Sequence, residues 1–217
     1  MTNPAAPVAR HAERWPASLA LLACAALYLA LPNRLAVGPK WILPVVIILP
    51  LIPLSLRRHR HPDDSPWVRR VTIGLIVVIN LVNVVSVGLL VHLLLDATVN
   101  QGRNLIYSAV SVWVTNIIVF ALWFWEVDRG GPTVRGTSSE GFADIQFPQM
   151  ENPHLAPDGW GPSFVDYLYT AFANGTSFAP ADAMPLSARV KALFAMESIV
   201  SLVTIAVVAA RAVNILT

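Results

Sequence analysis

The residues best placed to handle charge inside a membrane lie on the last long apolar run of the chain. Glu197, Ser201 and Thr204 follow one another at intervals of four and three positions, which places their side chains on one face of a helix. An ionisable group within such a run is costly and faces a water-filled cavity or a polar partner. Glu197 is therefore either a cation site on a pore lining formed by these three residues, or a structural residue that pairs with another helix. The candidate partners are Asn80, Asn83, His92 and Asn116.

A second polar stretch, NGTSFAPAD at positions 174–182, lies directly before this run. The segment ahead of it, GPSFVDYLYTAFA, has apolar residues at helical spacing and contains Ser163 as a candidate N-cap. A helix over 163–174 would be only about 18 Å long at 1.5 Å per residue, whereas the hydrocarbon core of a bilayer is about 30 Å thick. A short helix, a polar non-helical stretch and a long apolar run in this order predict a re-entrant loop, which is buried in protein or lines a cavity.

The composition of the whole chain is typical of a membrane protein. Of its 217 residues, 55% are hydrophobic and 13% are charged, whereas soluble domains carry about 25% charged residues. Five apolar runs, at 16–32, 41–56, 71–95, 105–125 and 188–215, predict five transmembrane helices. Together with the short helix, they predict an all-α integral membrane protein with five transmembrane helices and one re-entrant pore-type helix.

The chain divides into three predicted regions. Residues 1–126 form a membrane region of four helices. Residues 127–162 are rich in glycine, proline, serine and acidic residues without periodicity, which indicates an extramembrane loop. Residues 163–217 hold the re-entrant helix, a filter-like loop and an inner helix. No internal repeat is visible, so the sequence does not support an inverted-repeat transporter.

The segment DYLYTAFANGTSFAPADAMPLSARVKAL, residues 166–193, resembles the pore helix, filter and inner-helix start of the potassium-channel pore superfamily. In that family a filter of the type TVGYGD is followed by a proline three residues after the aspartate, and soon afterwards by a basic residue. Asp182, Pro185 and Arg189 occupy those three positions here. The filter-like loop comprises Asn174, Thr176, Ser177, Phe178, Ala179, Pro180, Ala181 and Asp182. The plan of the whole chain also resembles a family of uncharacterised bacterial membrane proteins with five spans and a degenerate loop.

The resemblance implies a path for monovalent cations on the axis of a homo-oligomer, with a tetramer favoured. A filter of backbone carbonyls needs glycine dihedrals that residues with a Cβ rarely adopt. Because Ala179, Pro180 and Ala181 stand in the filter, we expect any conductance to discriminate poorly between potassium and sodium. Two functions follow: a channel-like, weakly selective cation pore, or a non-conducting membrane protein that keeps the pore-domain architecture for structural or partner-binding roles. The altered filter favours the non-conducting protein, and the stripe through Glu197 favours the cation pore.

Arginine is unevenly distributed between the two sides of the predicted topology. With the N-terminus inside, nine arginines fall on the cytoplasmic side and four basic residues on the other. The positive-inside rule therefore predicts a cytoplasmic N-terminus and a re-entrant loop that opens to the cytoplasm. The resemblance to channels implies the opposite orientation. Either way, the predicted location is the inner cell membrane, with several passes through the bilayer.

Other chemistries find little support in the sequence. His59, His61, Asp63 and Asp64 could bind a metal, but no second cluster completes a site, and a solvated basic loop explains them better. No nucleophile elbow, phosphate loop or zincin signature is present, so we predict no catalytic residues, no metal, no cofactor and no enzyme activity. The net charge of +2 comes from loops beside apolar runs, which predicts a lipid bilayer and no nucleic acid as partner.

Overall fold

The chain is mostly helical in the structure, a computed structural model that describes residues 15–58, 66–95, 102–177 and 182–216 apart from positions 138 and 158. The helices are α1 (Trp15–Ala30), α2 (Ile42–Arg58), α3 (Pro66–Leu95), α4 (Gly102–Val127), α5 (Pro148–Glu151), α6 (Phe164–Ser177) and α7 (Ala188–Leu216). Two short strands, β1 (Ile145–Gln146) and β2 (Met184–Pro185), pair in antiparallel fashion, and 3-10 helices occupy Asp128–Gly130 and Pro153–Leu155.

Three of the helices are long and apolar enough to cross a membrane. The corresponding segments are Trp67–Leu93, Leu105–Gly130 and Ala188–Ala210. The first two predicted spans form the shorter apolar helices Trp15–Ala30 and Ile42–Ile52 within α1 and α2. The predicted helical character is confirmed, and three helices are long and apolar enough to span a membrane. The count of five spans and the re-entrant helix stay predictions.

Helix α4 is the centre of the bundle, because it packs against α1, α3, α6 and α7. Its membrane-length segment is 61% buried, compared with 39% for that of α3 and 28% for that of α7. Aromatic side chains fill the contacts of its C-terminal half: Phe124 stacks on Phe194 of α7 at 4.4 Å, and Trp125 meets Phe164 of α6 edge-on at 5.9 Å. Each such pair contributes about 0.5–1.5 kcal/mol of stability beyond that gained from the apolar area that it buries.

The segment from α6 to β2 begins and ends at the same end of α4. The Tyr167 hydroxyl, near the start of α6, donates to Asp128 just after α4. One end of α6 thus lies at the C-terminal end of α4, and its other end lies beside Trp113, whose indole N–H donates to the Gly175 carbonyl. The chain then returns, since β2 pairs with β1 beside Asp128. With 14 residues, α6 is about 21 Å long at 1.5 Å per residue.

Helix α6 begins where the sequence predicts and ends later than predicted. Its first residue follows Ser163, whose backbone N–H and hydroxyl both donate to the Asp166 carboxylate at 2.7 Å. Asn174 ends the predicted helix and is helical, whereas the prediction that Thr176 and Ser177 belong to a non-helical loop is wrong, because both lie in the last turn of α6.

Two contacts explain why the helix continues through these polar residues. The Thr176 hydroxyl donates to the Phe172 and Ala173 carbonyls within α6, at 2.8 and 3.1 Å. The amide of Asn174 is bound by α7, as described below, and so does not compete for the backbone of its own helix. Asp182 is exposed after α6, whereas Phe178, Ala179, Pro180 and Ala181 lie outside the described residues.

Residues 128–160, hereafter the cap, fold over the end of the bundle at which α4 ends and α6 begins. They supply β1, α5 and both 3-10 helices. The side chains of Ile145 and Phe147 are buried against the bundle, and the Phe147 ring meets the Tyr167 ring edge-on at 5.3 Å. The long segment predicted from its composition as an extramembrane loop therefore contains regular structure and contributes Ile145 and Phe147 to the core of the bundle.

The turn between α4 and the cap depends on Gly131. This residue has a φ of +99° and a ψ of 173°, a region that only glycine occupies readily. A Cβ built there would lie 3.1 Å from the Glu126 carbonyl oxygen and 3.2 Å from the Arg69 Nε atom. Arg69, in the first turns of α3, donates to that same carbonyl at 3.2 Å, so Gly131 lets the chain pass closely between α3 and α4.

We expect Gly131→Ala to destabilise the protein by about 1–3 kcal/mol, because the new side chain requires a disfavoured backbone conformation and crowds a backbone carbonyl. Thermal unfolding of the purified protein in detergent measures the change. The control is Gly74→Ala, whose Cβ would meet nothing within 4 Å. Because Gly74 lies in the interior of α3, this substitution should stabilise the protein by about 0.5–1 kcal/mol. Equal midpoints for Gly131→Ala and the wild type would contradict the role given to Gly131.

Candidate functional site

The three residues of the predicted pore lining face the interior of their own chain. Glu197, Ser201 and Thr204 each have 0% of their surface exposed, although only 28% of the membrane-length segment of α7 is buried. The Thr204 hydroxyl donates to the Val200 carbonyl of the same helix at 2.8 Å. The other two contact polar groups of α4 and α6. The stripe predicted from spacing thus exists, and in the single chain it is covered by those two helices.

Asn174 of α6 binds the Glu197 carboxylate directly. Its amide nitrogen donates to Glu197 Oε2 at 2.9 Å and to the Phe194 carbonyl at 3.0 Å. Its amide oxygen accepts a hydrogen bond from the Ser198 hydroxyl at 3.2 Å. One buried side chain therefore joins the last turns of α6 to two turns of α7, and it comes from the segment that was assigned to the filter-like loop.

Asn116 of α4 reaches the same cluster from the other side. Its amide nitrogen donates to Ser201 Oγ at 3.1 Å and to the backbone carbonyl of Glu197 at 3.3 Å. Of the four partners suggested by the sequence, Asn116 thus contacts Glu197 through the backbone and not through the carboxylate. Within the described residues, Asn80, Asn83 and His92 make no hydrogen bond to Glu197.

A glycine allows α6 to approach this cluster closely. A Cβ built on Gly175 would lie 3.1 Å from Ser201 Oγ, 3.4 Å from Ile117 Cγ1 and 3.7 Å from Glu197 Oε1. Any larger residue at this position would have to displace α4 or α7 by a few tenths of an ångström. Asn116, Asn174, Gly175, Glu197 and Ser201 are hereafter the interior polar cluster.

The second polar centre lies at the junction of the cap with the bundle, around Asp128. This carboxylate is fully buried. Its Oδ1 atom accepts hydrogen bonds from the backbone N–H groups of Asp144 and Ile145 at 2.9 and 3.1 Å, and its Oδ2 atom accepts one from the Tyr167 hydroxyl at 2.6 Å. Asp128 therefore ties together the end of α4, the strand of the cap and the first turns of α6.

Asp144 links the cap to α7. Its two carboxylate oxygens accept hydrogen bonds from Arg189 Nε at 2.9 Å and Nη2 at 2.5 Å, and the backbone N–H of Arg129 adds one at 3.1 Å. Burial by itself would raise the pKa of Asp144. The hydrogen bonds from Arg189, Ser187 and Arg129 outweigh that effect and hold the pKa below its ordinary value. Arg189, the basic residue of the channel resemblance, thus fastens the start of α7 to the cap.

Two further arginines complete the junction. Arg135 donates to the Trp125 carbonyl, and its guanidinium lies 4.9 Å from the centre of the Tyr167 ring and 5.7 Å from that of Trp125. Burial lowers the pKa of this guanidinium. Arg129 donates to Glu140 Oε1 at 2.6 Å and so holds the tip of the cap. Asp128, Arg129, Arg135, Asp144, Tyr167 and Arg189 are hereafter the junction cluster.

The two clusters hold both ends of α6. Within the described residues, no group of three or more histidine, cysteine, aspartate or glutamate side chains could hold a metal ion. His59, His61, Asp63 and Asp64, the metal ligands considered from the sequence, lie outside the described residues. The arrangement binds buried polar groups by hydrogen bonds at the points where α6 meets α4 and α7.

Comparisons of the chain with protein-family models, with curated proteins and with solved structures found no match.

We expect Tyr167→Phe to destabilise the protein by about 1–3 kcal/mol, because the buried Asp128 carboxylate loses its hydroxyl donor. The matched control is Tyr169→Phe, two positions along the same helix, where the ring is exposed; this change should stay within about 0.5 kcal/mol of the wild type. Thermal unfolding in detergent compares the two variants. Equal destabilisation by both would show that the hydrogen bond from Tyr167 to Asp128 does not stabilise the fold.

We expect the junction to weaken in acid. Because the pKa of Asp144 is lowered in the folded protein, this carboxylate stabilises the fold at pH values above the ordinary aspartate pKa of about 3.9. The contribution is lost as the pH falls through the lowered pKa. The unfolding midpoint of the wild type should therefore fall as the pH is lowered below about 4. The midpoint of Asp144→Asn should be lower than that of the wild type at neutral pH and should fall less in that acidic range.

Asp182→Asn serves as the control, since Asp182 is exposed and its removal should leave the acid dependence of the wild type intact. If Asp144→Asn and the wild type lose stability in parallel as the pH falls, the Asp144–Arg189 contact does not contribute to the acid dependence of stability.

Proposed function

We propose that the chain is a multi-pass protein of the inner cell membrane with the architecture of a pore domain. In this proposal α1, α2, α3, α4 and α7 cross the bilayer, and α6 is a re-entrant helix that dips in from the cap side. The length of α6 supports this, because a helix of about 21 Å cannot cross a hydrocarbon core of about 30 Å. The return of the chain to β1 at the end where α6 began supports it as well.

We propose further that this architecture does not conduct ions, and that its role is to hold the cap in a fixed position for a structural or partner-binding function. One observation carries this proposal: Glu197, Ser201 and Thr204 are fully buried inside their own chain. Residues that line a pore on the axis of an oligomer face a water path between subunits, and those of this stripe face α4 and α6.

The surface of the cap is suited to a partner-binding role. It carries an open pocket of about 510 Å³, whose lining includes Arg129, Phe142, Asp144, Leu186 and Arg189. Phe142 at its edge is 99% exposed. The pocket shares three residues with the junction cluster, so the contacts that fix α6 and α7 also fix the shape of this surface.

The second candidate is a weakly selective cation pore formed by several copies of the chain, with a tetramer favoured. It is supported by the wide apolar face of α7, whose membrane-length segment is only 28% buried in the single chain and so offers area for contacts between copies. It is also supported by the C-terminal end of α6, which carries partial negative charge and lies level with Trp113, close to the middle of α4.

Purified protein in liposomes separates the two candidates. We expect efflux of sodium and potassium no faster than from protein-free liposomes, because Glu197 is buried within its own chain and bound by Asn174. A cation flux in the wild type that is abolished in Glu197→Gln, with the folded yield unchanged and with Glu151→Gln as the exposed control, would establish the pore instead. In that case the measured reversal potential should show poor discrimination between potassium and sodium, and the protein should be oligomeric in detergent.

A further inference from the structure

Within the described residues, the carboxylate of Glu197 accepts a hydrogen bond from one donor. Its Oε2 atom accepts from Asn174, whereas its Oε1 atom is buried and accepts from no described residue. The amide oxygen of Asn116, in the same cluster, is also buried without a donor. Because buried polar atoms are nearly always hydrogen-bonded, these two oxygens indicate that the interior polar cluster is short of a donor.

No basic side chain compensates the charge that Glu197 would carry. Within the described residues, no lysine, arginine or histidine nitrogen lies within 4 Å of its carboxylate. Among the described side chains, the titratable groups on the surrounding helices are Arg189 and Lys191 on α7, Tyr107 and Glu126 on α4, Asp166, Tyr167 and Tyr169 on α6, and Arg69, Arg70 and His92 on α3. Of these, Arg70, Tyr107 and Tyr169 are exposed, and Arg69 donates to the Glu126 carbonyl.

Each of these groups lies well away along its helix. Lys191 is exposed and about 9 Å from the level of Glu197 at 1.5 Å per residue, and Arg189 is bound to the cap. Glu126 lies about 15 Å along α4 from Asn116, and Tyr167 about 10 Å along α6 from Asn174. His92 belongs to the part of α3 around Leu90, which packs with Val207, about 15 Å along α7 from Glu197.

An ionised carboxylate in such a place is expensive. Transfer of one unpaired charge to a protein interior costs several kcal/mol even after relaxation, and a buried group without a counter-ion usually becomes neutral instead. A protonated carboxyl also gains an O–H donor. A single proton on Oε1 would therefore remove the charge and supply the donor that the cluster lacks.

We propose that Glu197 is a proton-binding site in the membrane interior, and that its proton holds α6 against α7. Asn174 joins α6 to Glu197, Phe194 and Ser198, so the charge state of Glu197 acts directly on that contact. Ionisation places a negative charge beside the C-terminal end of α6, whose backbone carries partial negative charge, and so drives the two helices apart. The proposal does not depend on conduction and applies to both candidate functions.

Infrared spectroscopy of the protein in lipid nanodiscs at neutral pH tests this proposal. The wild type should show the C=O stretching band of a protonated carboxylic acid, and Glu197→Gln should lose that component. The matched control is Glu151→Gln, which removes an exposed carboxylate and should leave the band unchanged. Glu197→Asp keeps a carboxylic acid and should shift the band, which preserves the test if Glu197→Gln folds poorly.

The stability of the fold gives a second readout. The folded chain holds a proton that Glu197 releases on unfolding at neutral pH, so the stability of the wild type should fall as the pH rises. Glu197→Gln should fold and lose less stability over the same range. The proposal is overturned if neither Glu197→Gln nor Glu197→Asp alters the acid band. It is also overturned if sodium at constant pH abolishes the band in the wild type, because the site would then bind a metal cation.

Discussion

The buried carboxylate of Asp128 is the interaction on which the rest of the described structure depends. It accepts hydrogen bonds from two backbone N–H groups of the cap and from the Tyr167 hydroxyl, and these donors come from two segments distant in sequence. A buried carboxylate bound in this way is stabilising only while all of its donors are present, since an unsatisfied charge costs far more than one hydrogen bond. The positions of the cap and of α6 are therefore coupled through one side chain.

The interior polar cluster fixes the opposite end of α6 by a different kind of contact. At the junction, charged groups are paired with arginines at the edge of the bundle, whereas around Asn174 an amide, a hydroxyl and a carboxyl are bound between packed helices. A short helix gains little stability from its own backbone. Its position is thus set by side chains at its two ends, with Tyr167 near one and Asn174 near the other.

The sequence predicts what depends on composition and local spacing. Apolar runs predict the long helices, and Ser163 marks the start of α6. The end of α6 could not be predicted, because the contacts of Asn174 that support it reach residues 20–24 positions further along the chain. The stripe of Glu197, Ser201 and Thr204 follows from helical spacing, but its direction does not, since that requires knowing which helices surround α7. The cap has no periodicity, and its strand is defined by Asp128, 16 and 17 positions away.

The pairing of β1 with β2, together with the contact of Asp144 with Arg189 45 positions later, has a consequence for biosynthesis. The polypeptide emerges from its N-terminus, so the cap and α6 are complete before Arg189 is made. Helix α7, with a polar stripe along one side, then meets a surface already formed by α4 and α6. If α7 enters a bilayer, as its length and apolarity allow, its insertion and its docking to that surface become parts of one step that follows the folding of the cap.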